Sequence, residues 1–239
     1  MKKELDTKNY SNIDQSMKIK TITLNMPFKV GKVNCYLIKT KRGFILIDTG
    51  ASNKRTELEK SLENAGCNSG NLKLIVLTHG DFDHTGNASH LREKFAAKIA
   101  MHSDDLGMVE QGDMFWNRKG NFFIKKIAPS LFGFGKSERF KPDFYLEDED
   151  DLSDYGLNAH VIHIPGHSKG SIGILTREGE LFCGDLLENT KKPGLNSIMD
   201  DKSAADISIE KLKSLEIKTA YPGHGECFPI DLFIKNYQK

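Results

Sequence analysis

Residues Thr78 to Asn87 read T-H-G-D-F-D-H-T-G-N. Four side chains able to bind a metal, His79, Asp81, Asp83 and His84, fall within six positions of that run. In an extended loop, residues at i, i+2 and i+4 project to one side. His79, Asp81 and Asp83 are therefore expected to face one cavity, with His84 directly behind them. The stretch before it, Leu72-Lys73-Leu74-Ile75-Val76-Leu77, is short, apolar and rich in branched residues, as a buried strand is. After it, Gly86 precedes Asn87 to Phe95, where Ala88, Leu91 and Phe95 recur at helical spacing and mark a helix start. The run is thus expected as a loop at the C-terminal end of a strand, where layered α/β folds place their sites. Imidazole and carboxylate donors together suit zinc, iron or manganese, and the carboxylates tilt the choice toward harder ions.

Three further candidate ligands occur downstream: His167 in I-P-G-H-S-K-G-S, Asp185 in F-C-G-D-L and His224 in Y-P-G-H-G. Each follows a glycine and sits just past an apolar stretch, at Val161 to Ile164, Leu181 to Cys183 and Thr219 to Tyr221. The expectation is again a loop residue at a strand end. A glycine beside a ligand lets backbone approach a crowded centre. One such pair is weak; the recurrence of strand, glycine and ligand is what carries weight.

On these residues the chain resembles the metallo-β-lactamase superfamily, in its hydrolase branch of glyoxalase II-like thioesterases and lactonases. The family signature H-x-H-x-D-H is met at His79, Asp81, Asp83 and His84 with one departure, and His167, Asp185 and His224 follow in the family's order. Asp48-Thr49-Gly50 matches its upstream D-x-G turn, and the likeness spans roughly Thr21 to Phe228. The resemblance implies an α+β fold, a four-layer αββα sandwich. It also implies a dinuclear site: His79, position 81 and His167 on metal one, Asp83, His84 and His224 on metal two, and Asp185 bridging, with a water or hydroxide between two divalent ions of zinc or iron, or manganese.

The departure is Asp81, where the family usually has His. With Asp81, Asp83 and Asp185 all facing two divalent ions and a hydroxide, the formal charge falls to about neutral from about +1. Metal one would be harder and richer in oxygen, favouring iron or manganese. A carboxylate here also resembles the flavodiiron branch, whose Glu is one methylene longer. The alternative is that Asp81 does not ligate and a single metal binds tightly.

The chain has 239 residues, enough for one large domain. Residues 1–17 read as a flexible polar leader without the apolar segment of a signal peptide, and 18–239 as a single domain. The net charge of +1 offers no field for nucleic acid or an anionic membrane, and no apolar run reaches membrane-spanning length. Cys35, Cys67, Cys183 and Cys227 are dispersed, as reduced thiols of a cytoplasmic protein are. Cys183 is expected to be a buried strand residue pointing away from the site.

The order of elements suggests two successive β-rich halves with helices. Strands are expected at Thr21 to Leu24, Val33 to Ile38, Phe44 to Ile47, Lys98 to Met101, His160 to Ile164, Ile172 to Thr176 and Glu180 to Cys183. Helices are expected at Asn53 to Ala65 and Ser203 to Leu215, the latter with Ile207, Ile209, Leu212 and Leu215 as its apolar set. Residues 107–142 lack a regular period but carry Phe115, Trp116, Phe122, Phe123, Phe132, Phe134 and Phe140 among glycines. They read either as an added packed subdomain or as a lid with an apolar substrate wall. Glu147 to Asp151 reads as a solvated acidic turn, His160 and His163 as structural or supporting residues, and Lys191 and Lys192 as surface lysines rather than substrate anchors.

The leading functional reading is a dinuclear metal-dependent hydrolase acting on a small-molecule ester, thioester or lactone. Metal coordination brings a water's pKa toward neutrality, and Asp83 would accept the nucleophile's proton. The alternatives are a phosphodiesterase, a di-iron redox protein and a non-catalytic binding protein that uses the same pocket.

Overall fold

The structure is a computed structural model and describes residues 17–27, 31–116, 118, 135–235 and 237. The leader at 1–16 lies outside the described residues, as do Phe122, Phe123, Phe132 and Phe134 of the aromatic stretch.

The first half forms a six-stranded sheet in the order β1 (Lys18–Asn25), β2 (Lys32–Thr40), β3 (Gly43–Ile47), β4 (Leu72–Val76), β5 (Lys98–Met101), β6 (Phe144–Tyr145). β1 to β3 are an antiparallel meander; β3 to β6 run parallel. The parallel crossovers carry α1 (Arg55–Asn64), α2 (Phe82–Thr85), α3 (Ala88–Phe95) and α4 (Leu106–Gln111). The second half forms a sheet from β7 (Ala159–His163), β8 (Ile172–Thr176), β9 (Glu180–Asn189), β10 (Gly194–Leu195), β11 (Thr219–Gly225) and β12 (Phe228–Pro229). α5 (Lys202–Lys213) joins β10 to β11, and α6 (Asp231–Ile234) follows β12.

Strand periodicity explains the layering. Along β2, Cys35 and Leu37 point to one face, where they pack with Leu58 and Leu62 of α1 and Leu91 and Phe95 of α3. Tyr36 and Ile38 point to the other face. There they join Ile45, Ile47, Leu74 and Val76, and meet Val161, Ile174 and Phe182 of the second sheet. On the far side of that sheet, Ile162, Leu181 and Cys183 pack against Ala205, Ile209 and Leu212 of α5. Alternating side chains thus fill three separate apolar spaces, which requires the layers α, β, β, α. Each fully buried Leu, Ile or Phe contributes about 1.5–3 kcal/mol of transfer free energy, so interdigitation in all three spaces holds the sandwich.

Several expectations are refined. Ile207, read as part of the apolar face of α5, is 72% exposed; Ser208 is buried in its stead, its hydroxyl donating to Pro165 O at 2.7 Å. The Glu147–Asp151 turn is largely exposed, but Asp148 accepts from His163 N and pairs with Lys211. Cys183 lies in the outer apolar space, as expected. Among the described residues no helix is long and apolar enough to cross a membrane.

Candidate metal centre

The structure brings His79, Asp81, Asp83, His84, His167, Asp185 and His224 together at one edge of the sandwich, where the two sheets meet. Their donor atoms form overlapping groups, each within 4.8 Å: His79, Asp81 and His167; His79, His84 and Asp185; Asp83, His84 and His224. The ring centroids of His79 and His84 are 4.1 Å apart, and those of His79 and His167 4.7 Å.

The local backbone differs from expectation in three places. The Thr78–Asn87 run is not extended throughout. Asp81 is the extended N-cap of α2, and Asp83 and His84 sit on that single helical turn, which throws both toward the centre. Asp185 is not a loop residue but lies inside β9, and His224 lies inside β11. Both strands continue past the site because they pair in parallel from Thr219↔Glu180 to Gly225↔Asn189. The register shifts around Pro222, and such a bulge re-aims side chains without ending a strand. The first sheet holds this segment in place: Tyr36 donates to Pro222 O at 2.6 Å, and Asn34 donates to Pro222 O at 3.1 Å and to Gly225 O at 2.7 Å. His167 is in a loop, as expected.

Gly223 permits the close approach of β11. A Cβ there would lie 2.1 Å from Asp185 Oδ1 and 2.6 Å from His84 Cε1.

Each imidazole is oriented by its outer nitrogen. His84 Nδ1 donates to Asp48 Oδ2 at 2.8 Å, His167 Nδ1 to Ile198 O at 2.7 Å, and His224 Nδ1 to Lys32 O at 2.6 Å. Thr78 Oγ1 donates to Asp48 Oδ2 at 2.8 Å, which leaves the Thr78 oxygen's own lone pair to accept from His79 Nδ1 at 3.0 Å. This pattern fixes the tautomer that presents Nε2 as a lone pair to the centre. The inward atoms His79 Nε2, His84 Nε2 and Asp185 Oδ1 are buried without a hydrogen-bond partner, whereas Asp81 Oδ1 lies 2.8 Å from Arg118 Nη2. Buried polar atoms normally find partners, so orphaned donor atoms converging on one place fit a bound cation. The charge balance agrees. Burial would lower the pKa of His84, yet the charges of Asp185, Asp48 and Asp83 raise it well above the usual value. His224, also opposed by burial, is raised to about 9, chiefly by Asp185.

Supporting residues not singled out from the sequence complete the site. Asp105 accepts from Gly80 N at 3.0 Å, from Ser168 Oγ at 2.6 Å and from Gly170 N at 2.9 Å, tying the loop of His79 to that of His167. Asn196 donates to Asp185 Oδ2 at 3.1 Å. Arg118 reaches Asp81 and His167. These residues carry no local motif; only their distance-spanning contacts reveal them. Conversely, His90 pairs with Glu59, and His102 stacks on His163 at 4.2 Å, both apart from the seven. Lys191 and Lys192 are exposed.

Comparison with known proteins agrees with this architecture. The family model described as the metallo-beta-lactamase superfamily matches residues 28–224. The chain is 29% identical over 169 residues to the hydroxyacylglutathione hydrolase GloC of Haemophilus influenzae, covering 68% of this chain and 70% of that one. It is 30% identical over 197 residues to a probable metallo-hydrolase of Methanocaldococcus jannaschii, covering 81% and 87%. Among solved structures, the di-iron-bound form of TTHA1623 superposes with a TM-score of 0.69 at 27% identity, covering 89% of this chain and 96% of that one. Matched sheets, an HxDxDH run leading into α2 and later ligands on β9 and β11 lead to one assignment: the chain belongs to the metallo-beta-lactamase superfamily and is a hydrolase.

Proposed function

We propose that this hydrolase cleaves thioesters or related activated esters and lactones of small molecules, with a divalent ion held by Asp83, His84, His224 and Asp185. The observation that carries the reading is the set of inward Nε2 atoms and the Asp185 oxygen left without partners while the outer ring nitrogens are engaged. A divalent ion on such ligands lowers the pKa of water toward neutrality and polarises a carbonyl oxygen.

The protein's own groups do the rest. Asp83 Oδ2 lies 3.4 Å from His224 Nε2, so its carboxylate borders the centre and is placed to accept the proton of the attacking water. Asp48 and the Lys32 carbonyl hold His84 and His224 in register. The thioester preference is supported by the name of the Haemophilus influenzae relative, since an acylglutathione is a thioester. A phosphodiester substrate is less favoured, because a net charge of +1 gives polyanions little attraction. The two outer donor groups also support a dinuclear centre of zinc or iron wherever both are filled. Free thiols at all four cysteines support a cytoplasmic setting.

The test is hydrolysis by protein of measured metal content, assayed on acyl thioesters, lactones and a bis-aryl phosphodiester. The expected order places thioesters first, with Asp83→Asn lowering kcat by about 10²-fold or more. Fastest turnover on the phosphodiester, or a kcat untouched in Asp83→Asn, would overturn the reading. A second reading, a redox di-iron protein, has one favouring observation in the di-iron-bound form of TTHA1623. Turnover that depends on O₂ would select it.

A further inference from the structure

Arg118 is buried, its side chain 4% exposed, and enters the first donor group. Its Nη2 donates to Asp81 Oδ2 at 3.0 Å and to His167 Nε2 at 3.0 Å, and lies 2.8 Å from Asp81 Oδ1. Its Nε lies 3.2 Å from Asp200 Oδ2. Nη2 carries two hydrogens, one for each acceptor.

Both acceptors are atoms that a metal in this group would need. His167 has its Nδ1–H committed to the Ile198 carbonyl, so Nε2 offers only a lone pair. That lone pair faces Asp81 Oδ2 at 3.1 Å. Two acceptors at that distance repel unless positive charge stands beside them, and the guanidinium supplies it. The opposite side differs. There His84 Nε2 and Asp185 Oδ1 have no hydrogen-bond partner. His79 Nε2, equally unpartnered, lies within 4.8 Å of their donor atoms.

The pairing also accounts for the residue at 81. A buried guanidinium needs anions in contact; Asp200 serves Nε, but at Nη2 an imidazole at 81 would provide none.

We infer that Arg118 is a built-in cation of the first donor group. It takes the place between Asp81 and His167 that a first metal would fill, and the centre holds one ion, on Asp83, His84, His224 and Asp185. This rests on the metal-dependent reading above and changes its stoichiometry. Asp81 is then the counter-ion of Arg118 rather than a device for hardening a metal.

The experiment is a Zn²⁺ count per chain by elemental analysis after saturation and desalting, on the wild type, Arg118→Met and the double variant Arg118→Met/Asp81→His, with folding followed by circular dichroism. The wild type is expected to hold one ion, and the double variant, which regains a neutral His₃ group, two. Arg118→Met alone is expected to admit a second ion that a chelator removes first. Two ions in the wild type overturn the inference and leave the hydrolase reading standing. No ion in the wild type sinks both. One ion in the wild type and still one in both folded variants overturns Arg118 as the cause.

Discussion

Asp48 Oδ2 stands 2.8 Å from His84 Nδ1, while its other oxygen accepts Thr78 N at 2.8 Å. One carboxylate therefore joins the turn after β3 to the end of β4 and to α2. Asp48 pays for this reach with a left-handed backbone, φ 59, a conformation that Asp tolerates better than most residues. Asp48→Ala is expected to weaken metal binding by about 10–100-fold, because His84 loses the partner that orients its ring. Competition with a chromophoric zinc chelator measures this directly. Binding as tight as wild type would mean that packing alone orients His84.

Gly223 offers a steric test of the centre. A methyl group there would overlap Asp185 Oδ1 and the His84 ring. Gly223→Ala is expected to lose the bound ion and to destabilise the fold by about 1–3 kcal/mol, as overpacking in a filled interior does. Urea melts and metal analysis on the same sample report the two effects. Full metal content with an unchanged midpoint would show that β11 can shift away.

Trp116 tests the aromatic stretch. Its side chain lies over Gly107 yet remains 56% exposed, whereas Phe140 is buried among the residues under α1 and α3. The described part of 107–142 therefore contains both a packed anchor and an accessible indole. Trp116→Ala is expected to raise KM for long-chain acyl thioesters by about tenfold, equivalent to about 1.4 kcal/mol of lost apolar contact, with metal content unchanged. Equal KM for short and long acyl groups in the variant would remove the substrate-wall role.

The strands and helices that were legible in the sequence are those with a clean period. Lys98–Met101 and Ile172–Thr176 have the expected bounds, and the other expected elements shift by a few residues at their ends, except that β9 runs on past Cys183 to Asn189; the short elements β6, β10, β12, α4 and α6 were not expected. The misread positions share a cause. Asp185 and His224 follow glycines, which suggested strand ends, but pairing between β9 and β11 carries both strands onward through an irregular register. A glycine marks where backbone can depart from regularity; whether a strand resumes depends on its neighbour. Ile207 was misread because the apolar set of α5 was chosen by residue type, and its neighbour Ser208 finds the Pro165 carbonyl instead.

The sequence by itself determined which histidines and carboxylates this chain offers to a metal, and its resemblance to the metallo-β-lactamase superfamily implied the αββα sandwich. Ligand identity and spacing are local, and alternation along each strand marks which side chains the layers bury. The tertiary structure alone decided what surrounds those ligands. Asp105, Asn196 and the Lys32 carbonyl act across the gap between loops and sheets, and no local pattern announces them. Arg118 lies 37 positions from Asp81 and 49 from His167, and its meaning comes from sharing a buried cavity with both. In such a cavity a charge is settled by whichever counter-charge the fold brings within reach, and sequence distance carries no information about that.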